Sequence, residues 1–314
     1  MAVQLEGQLL ASTDLSMYSP TKNWIEFQYI DGLSISGGGR IDGRGASAWP
    51  QNQCPKKSKC HLLPVSLVLS FVTNATISRI SLVDSKSFHV NIFASKNVQL
   101  DSITVTAPAD SPNTDGIHVG DSVGVSIANS AIGTGDDCVS IGPGSVNISV
   151  SNVSCGPGHG ISVGSLGKYP DEKDVVGVTV KNCTLTGTTN GVRVKTWQST
   201  PSPSTASDFV FEDITMNNVS NPIIIDQEYC PRADCTQTSP SQVKIDRIVY
   251  RNINGTSASQ EAIKLVCSKA VPCNGVELSN INLVYNGDVE QDLTTICVNV
   301  KGTSNGNVMP NSCI

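Results

Sequence analysis

A short pattern recurring down the chain limits its fold more than any other feature: apolar, any residue, polar, small apolar, any residue, apolar. Copies lie at residues 77–82, 100–105, 127–132, 150–155, 180–185, 211–216, 245–250 and 278–283, spaced 23 to 34 residues apart, with an irregular earlier copy within 32–41. The third position is often Asn or Asp, as in Asn129, Asn152, Asn182, Asp213 and Asn280. The fourth is Ile80, Ile103, Ser130, Val153, Cys183, Ile214, Ile248 and Ile281 in turn. Between the copies runs a second family of segments that superimpose without gaps. They are Asp115-Gly116-Ile117-His118-Val119, Asp137-Cys138-Val139-Ser140-Ile141, His159-Gly160-Ile161-Ser162-Val163 and Asn190-Gly191-Val192-Arg193-Val194. Short strands split by Gly and Asn turns, returning at a period of this size, describe a solenoid. No helix-length amphipathic stretch separates them, which excludes alternating strand–helix units. We therefore expect an all-β chain: a single-stranded right-handed parallel β-helix of about ten coils, forming one domain over residues 1–314.

Composition agrees with that architecture. Charged residues are 15% and aromatics 5%, while Val, Ile, Gly, Ser, Thr and Asn dominate. Disordered chains carry more charge and fewer branched apolar residues. The formal net charge of -6 argues against a nucleic-acid partner, which would call for a basic stripe. No apolar run is long enough to span a bilayer, so no membrane partner is expected. Eleven cysteines point to an oxidising, extracellular compartment. Four close pairs, Cys54 and Cys60, Cys230 and Cys235, Cys267 and Cys273, Cys297 and Cys313, read as small disulfide loops. Cys138 and Cys155 lie on neighbouring coils and form a fifth bridge, while Cys183 occupies an apolar anchor position as a buried free thiol. Sequons at Asn74, Asn147, Asn152, Asn182, Asn218 and Asn254 fit a secreted glycoprotein. No basic segment followed by an apolar core opens the chain, so a mature or trimmed form with a truncated N-terminal cap is expected.

The gap-free superposition stacks Asp115, Asp137 and His159 on three successive coils, with Asp136 beside them. In regular strand geometry these residues would share the inward parity of Ile117, Val139 and Ile161, so they must lie in the turn entering each strand. One coil on, Val192 and Val194 point inward, leaving Arg193 and Lys195 on the outer face. Singly, an Asp beside Gly is a turn former and a pair of outward cations is a solvated strand face. Six such residues on adjacent coils are a site. Three close carboxyls repel, so one should keep its proton near neutrality. A protonated acid beside an ionised carboxylate is what glycoside hydrolysis needs. Arg193 and Lys195 would hold a sugar carboxylate, which makes an acidic polysaccharide the expected partner. His118 lies on the outer face as a substrate contact, and Trp197 either stacks on a sugar or caps a strand end.

Four ordered motifs, Asn113-Thr114-Asp115-Gly116, Gly135-Asp136-Asp137, Gly158-His159-Gly160 and Arg193-Val194-Lys195, closely resemble those of the polygalacturonases of glycoside hydrolase family 28. The resemblance runs from about Leu5 to the C-terminus. It implies a pectin lyase-like solenoid that hydrolyses α-1,4-galacturonosyl bonds of pectin with inversion. It implies Asp136 as general acid, Asp115 and Asp137 as the pair activating water, and His159 as a support for the acid's protonation. Arg193 and Lys195 would bind galacturonate carboxylate, and Asn113 would support the site by hydrogen bonding. Flanking stretches, Gly45-Ala46-Ser47-Ala48-Trp49-Pro50 and Asp226-Gln227-Glu228-Tyr229-Cys230, resemble the plant pollen-type exo-acting branch, whose members are often allergens. A monomer acting in the plant cell wall, without metal or other cofactor, follows as an expectation. The alternatives are an endo-acting polygalacturonase, a calcium-dependent pectate lyase and a non-catalytic pectin-binding protein.

Overall fold

Parallel pairing of short strands, coil upon coil, builds the whole molecule in the computed structural model, which describes residues 1–18, 23–54, 60, 63–231, 235–287 and 292–314. The strands fall into an 18-stranded and a 10-stranded sheet. The ten strands of the second sheet run from Ile25–Gln28 to Thr294–Val298, one per coil. Ile117 pairs with Val139, Val139 with Ile161 and Ile161 with Val192, so the gap-free superposition is the true register. These side chains are buried and belong to one core that runs continuously from Leu33 to Leu283. Each Val or Ile removed from water contributes roughly 1.5–3 kcal/mol, and stacking like on like repeats that gain at every coil.

The recurring Asn and Asp have a backbone cause. Asn129, Asn152, Asn182, Asp213 and Asn280 all hold positive φ, between 51° and 55°, where the chain turns a corner. Asn and Asp tolerate the left-handed region better than other side-chain-bearing residues. Their amides also ladder between coils: Asn152 Nδ2 donates to Asn129 Oδ1 at 3.1 Å, and Asn129 Nδ2 to Asp101 Oδ1 at 2.6 Å.

One repeat copy was placed wrongly by its sequence pattern. Phe211 pairs with Tyr250 and Ile214 with Ile253, so the seventh copy is 250–255 and its anchor is Ile253, not Ile248. Each coil has a second left-handed corner, and Asp208, Arg247 and Gly275 occupy it on three successive coils, with φ of 62°, 55° and 63°. Ile245 and Ile248 around Arg247 therefore mimic the motif. A further copy precedes the irregular one: Val3 pairs with Ile35 and Leu9 with Ile41.

All five expected disulfides are formed. Cys183 is free and buried, and burial pushes its thiol up to about 11, which keeps it unreactive. Among the described residues, no helix is long and apolar enough to cross a membrane.

Candidate active site

The turns that enter three strands of the ten-stranded sheet deliver the acidic residues. Strands begin at Ile117, Val139 and Ile161, so Asp115, Asp137 and His159 each stand two residues ahead of a strand. Gly160 makes this turn feasible: its φ is +85°, and a Cβ there would lie 2.1 Å from the Asn190 carbonyl oxygen. Asn190 completes the column by donating its amide to the His159 carbonyl at 3.2 Å.

Asp137 is the best-held group in the cleft and is only 2% exposed. Its Oδ1 accepts from Ser162 Oγ at 2.8 Å and an Arg193 guanidinium nitrogen at 2.9 Å, and its Oδ2 from Lys195 Nζ at 2.7 Å. Burial alone would raise this carboxyl, but Lys195 and Arg193 overcome it and hold Asp137 at about 2. Asp115 shows the opposite balance. It is buried, and burial, followed by the charges of Asp136 and Asp137, raises it well above the ordinary value of 3.8. Ser140 Oγ donates to Asp115 Oδ2 at 2.7 Å, which offsets only part of that rise. The proton expected on one of three crowded carboxyls thus belongs to Asp115.

Asp136 is the most accessible of the three carboxylates, its side chain being 21% exposed. Its Oδ1 accepts the Asp137 backbone N–H at 2.9 Å and lies 3.0 Å from His159 Nδ1. The Asn113 amide approaches Oδ2 at 3.5 Å and is itself positioned by Asn52, whose Nδ2 donates to Asn113 Oδ1 at 3.0 Å. Asn52 adjoins the Cys54–Cys60 loop, so this contact ties that loop to the site.

Arg193, Lys195 and His118 each have partners inside the protein. Arg193 and Lys195 leave the core side of their strand as foreseen. Lys195 is buried, and both are engaged by Asp137 and stand near the Tyr229 ring, with centroid distances of 5.9 and 5.4 Å. His118 is half-buried: its Nδ1 lies 2.8 Å from Ser140 Oγ and its ring 5.0 Å from Phe88. Desolvation, outweighing the pull of Asp137, lowers His118 to about 4, so it is neutral near pH 7. Ser140 and Ser162 escaped the sequence reading although the register contained them. His118, Ser140, Ser162 and Arg193 form one column, directly beside the catalytic one. Tyr229 had no such signal, because its place over Arg193 and Lys195 depends on a register shift between coils.

The cleft encloses about 410 Å³, and its lining includes Cys54, Cys60, Phe88, Lys168, Tyr169 and Tyr229. A larger hollow near Tyr285, Leu293 and Met309 has no comparable cluster of ionisable groups among the described residues. Asp136, Asp137 and His159 bring donor atoms within 4.8 Å of one another, a spacing a metal could use. Both Asp137 oxygens already face cations, however, and their charge opposes a further positive ion.

Known proteins share this framework. The family model described as "Glycosyl hydrolases family 28" matches residues 1–313. The chain is 47% identical over 313 residues to an "Exopolygalacturonase" of Zea mays, covering 100% of this chain and 76% of that protein. It is 50% identical to an "Exopolygalacturonase" of Oenothera organensis, covering 100% of this chain and 86% of that protein. The crystal structure of endo-xylogalacturonan hydrolase from Aspergillus tubingensis superimposes with a TM-score of 0.81 at 26% identity, covering 97% of this chain and 86% of that one. A polygalacturonase from Erwinia carotovora shares the fold with a TM-score of 0.78, covering 96% of this chain and 83% of that one. With its stacked carboxyls, parallel coils and near-complete match to the family model, this chain belongs to the glycosyl hydrolases of family 28.

Proposed function

We propose that the protein is a polygalacturonase that hydrolyses α-1,4-galacturonosyl bonds of pectin with inversion, working from chain ends as an exo-enzyme. The observation that carries this reading is the carboxyl cluster at the strand entries: Asp136, which a sugar can reach, stands beside Asp137, which Lys195 and Arg193 hold ionised at about 2. A reachable carboxyl beside one held ionised supplies an acid and a base within one cleft. The match to plant exopolygalacturonases over the whole chain supports the substrate and the exo mode. Five disulfides and those relatives support an extracellular enzyme, and we place it in the plant cell wall as a monomer of one domain.

In this mechanism Asp136, the carboxyl a sugar can reach, protonates the leaving glycosidic oxygen. Asp115 and Asp137 act as the pair activating water on the opposite face of the sugar: Asp115 helps to orient it and the ionised Asp137 takes its proton. His159 and Asn113 hold Asp136 in place. The raised Asp115 favours a second assignment, in which Asp115 delivers the proton. An activated leaving group separates the two. On 4-nitrophenyl galacturonide, whose leaving group needs no proton, removing the acid costs little, whereas removing a water-activating base costs the full effect. Asp136→Asn should lower activity on polygalacturonate by about 10²–10⁴-fold and largely spare the aryl glycoside. If Asp115→Asn shows that pattern instead, the acid is Asp115.

A further inference from the structure

Two serines, one coil apart, hold two of the carboxyls in the same way, yet the residue behind each serine differs. Ser162 Oγ donates to Asp137 Oδ1 at 2.8 Å, and Arg193 Nε donates to Ser162 Oγ at 3.1 Å. Ser140 Oγ donates to Asp115 Oδ2 at 2.7 Å, and His118 Nδ1 lies 2.8 Å from Ser140 Oγ. A guanidinium can only donate, so Ser162 must give its proton to Asp137, which is thereby kept an acceptor. A neutral imidazole can donate or accept. The chain of bonds through Ser140 can therefore run in either direction, whereas the one through Ser162 cannot.

With Asp115 ionised, the Ser140 hydroxyl points at the carboxylate and His118 Nδ1–H donates to Ser140. With Asp115 protonated, its O–H donates to Ser140 Oγ, the serine donates to Nδ1, and the ring proton sits on Nε2. The change takes up one proton: Nε2 accepts it from solvent, Nδ1 passes its own to Ser140, and Ser140 passes its own to Asp115. Among the described residues nothing bonds to Nε2. Gly120 and Gly142 flank it, a Cβ lying 3.7 Å from Nε2 at the first and 3.5 Å at the second, and His118 and Gly142 line the cleft. We propose that Asp115, Ser140 and His118 form a tautomer switch: protonating Asp115 moves the imidazole proton from Nδ1 to Nε2, so that the cleft wall offers a sugar oxygen a donor only while Asp115 holds its proton. The sugar as occupant rests on the polygalacturonase reading above; the switch itself does not. The charged groups acting on Asp115 and His118 are Asp136, Asp137 and Lys195, and Phe88 packs against the His118 ring. His89 supplies a control within the same protein. Its Nδ1 lies 3.1 Å from the Asp115 carbonyl oxygen, but its Nε2 accepts the Ser85 backbone N–H at 3.2 Å, which fixes the ring proton on Nδ1.

Nitrogen NMR of protein carrying isotope-labelled histidine tests this, because it separates a protonated from an unprotonated ring nitrogen. Between about pH 5 and 8, His118 should pass from Nε2–H to Nδ1–H while His89 stays Nδ1–H. Asp115→Asn should hold His118 in one tautomer throughout. Ser140→Ala should do the same, and should move the limb of the pH–rate profile that follows Asp115 up by about one unit, since a donor to the carboxylate is lost. Ser140→Thr, which keeps the hydroxyl, should restore both. A His118 tautomer that stays constant in wild type, or a switch that survives in Asp115→Asn, overturns the proposal. Adding trigalacturonate at about pH 8 to Asp136→Asn, which turns it over slowly, should raise the Nε2–H share of His118. A share that the sugar leaves unmoved overturns the sugar-facing role. Polygalacturonate that yields no reducing ends with wild type, while His118 still switches, overturns the hydrolase reading alone.

Discussion

Asp115 and Asp137 stand two residues ahead of adjacent strands, are both buried, and respond to pH in opposite ways. Asp137 titrates below its ordinary 3.8, at about 2, so its stabilising contribution is complete above about pH 4 and is lost as pH falls through 2. Asp115 titrates well above 3.8, so its contribution is complete below that value and is lost as pH rises through its raised folded pKa. The site is therefore most stable on the acidic side of neutrality, and it loses the proton on Asp115 as pH rises. Asp115→Asn, which keeps the shape and removes the charge, should be inactive on polygalacturonate yet at least about 1 kcal/mol more stable than wild type at pH 7. That excess should vanish near pH 4. Urea unfolding at both pH values measures it, and an Asn variant no more stable than wild type at pH 7 would refute the charge assignment.

At the scale of the element, the corner decides the coil. Asn129 combines positive φ with amide bonds to the coils on either side. Asn129→Ala should lose both and cost about 2 kcal/mol, whereas Asn129→Gly keeps the conformation and should cost about half as much. Equal losses in chemical denaturation would show that the ladder, not the backbone, carries the effect. The same corners explain what could be read in advance. Strand period, inward residues and the stack of Asp115, Asp137 and His159 follow from local pattern alone, because neighbouring coils repeat it in register. The seventh copy does not, because Arg247 turns a different corner within the same kind of apolar frame. The pairing of Lys195 and Arg193 with Asp137 was hidden for another reason. Alternation shows which face a side chain leaves by, but not which neighbour neutralises it one coil away. Tyr229 and Lys168 reach the cleft through a register shift and a loop, and neither repeats.

Across the whole molecule, the cleft lies over stacked coils, with Cys54 and Cys60 and the loop bearing Lys168 and Tyr169 in its lining. A chain end entering such a cleft should yield monogalacturonate from the first minutes of digestion. Chromatography of early products checks this, since a ladder of oligomers would mean that the cleft is open at both ends. Coil length varies widely behind a constant register. Ile77 and Leu100 are 23 residues apart, while Ile35 and Ile77, which flank the disulfide loop, are 42 apart, yet each pair sits side by side. The strands thus act as a fixed reading frame, and all surplus chain is carried as overhang at the corners. An overhang can be exchanged like a tool on a common handle: shortening the one that carries Lys168 and Tyr169 would remodel the cleft wall while leaving the catalytic column in place.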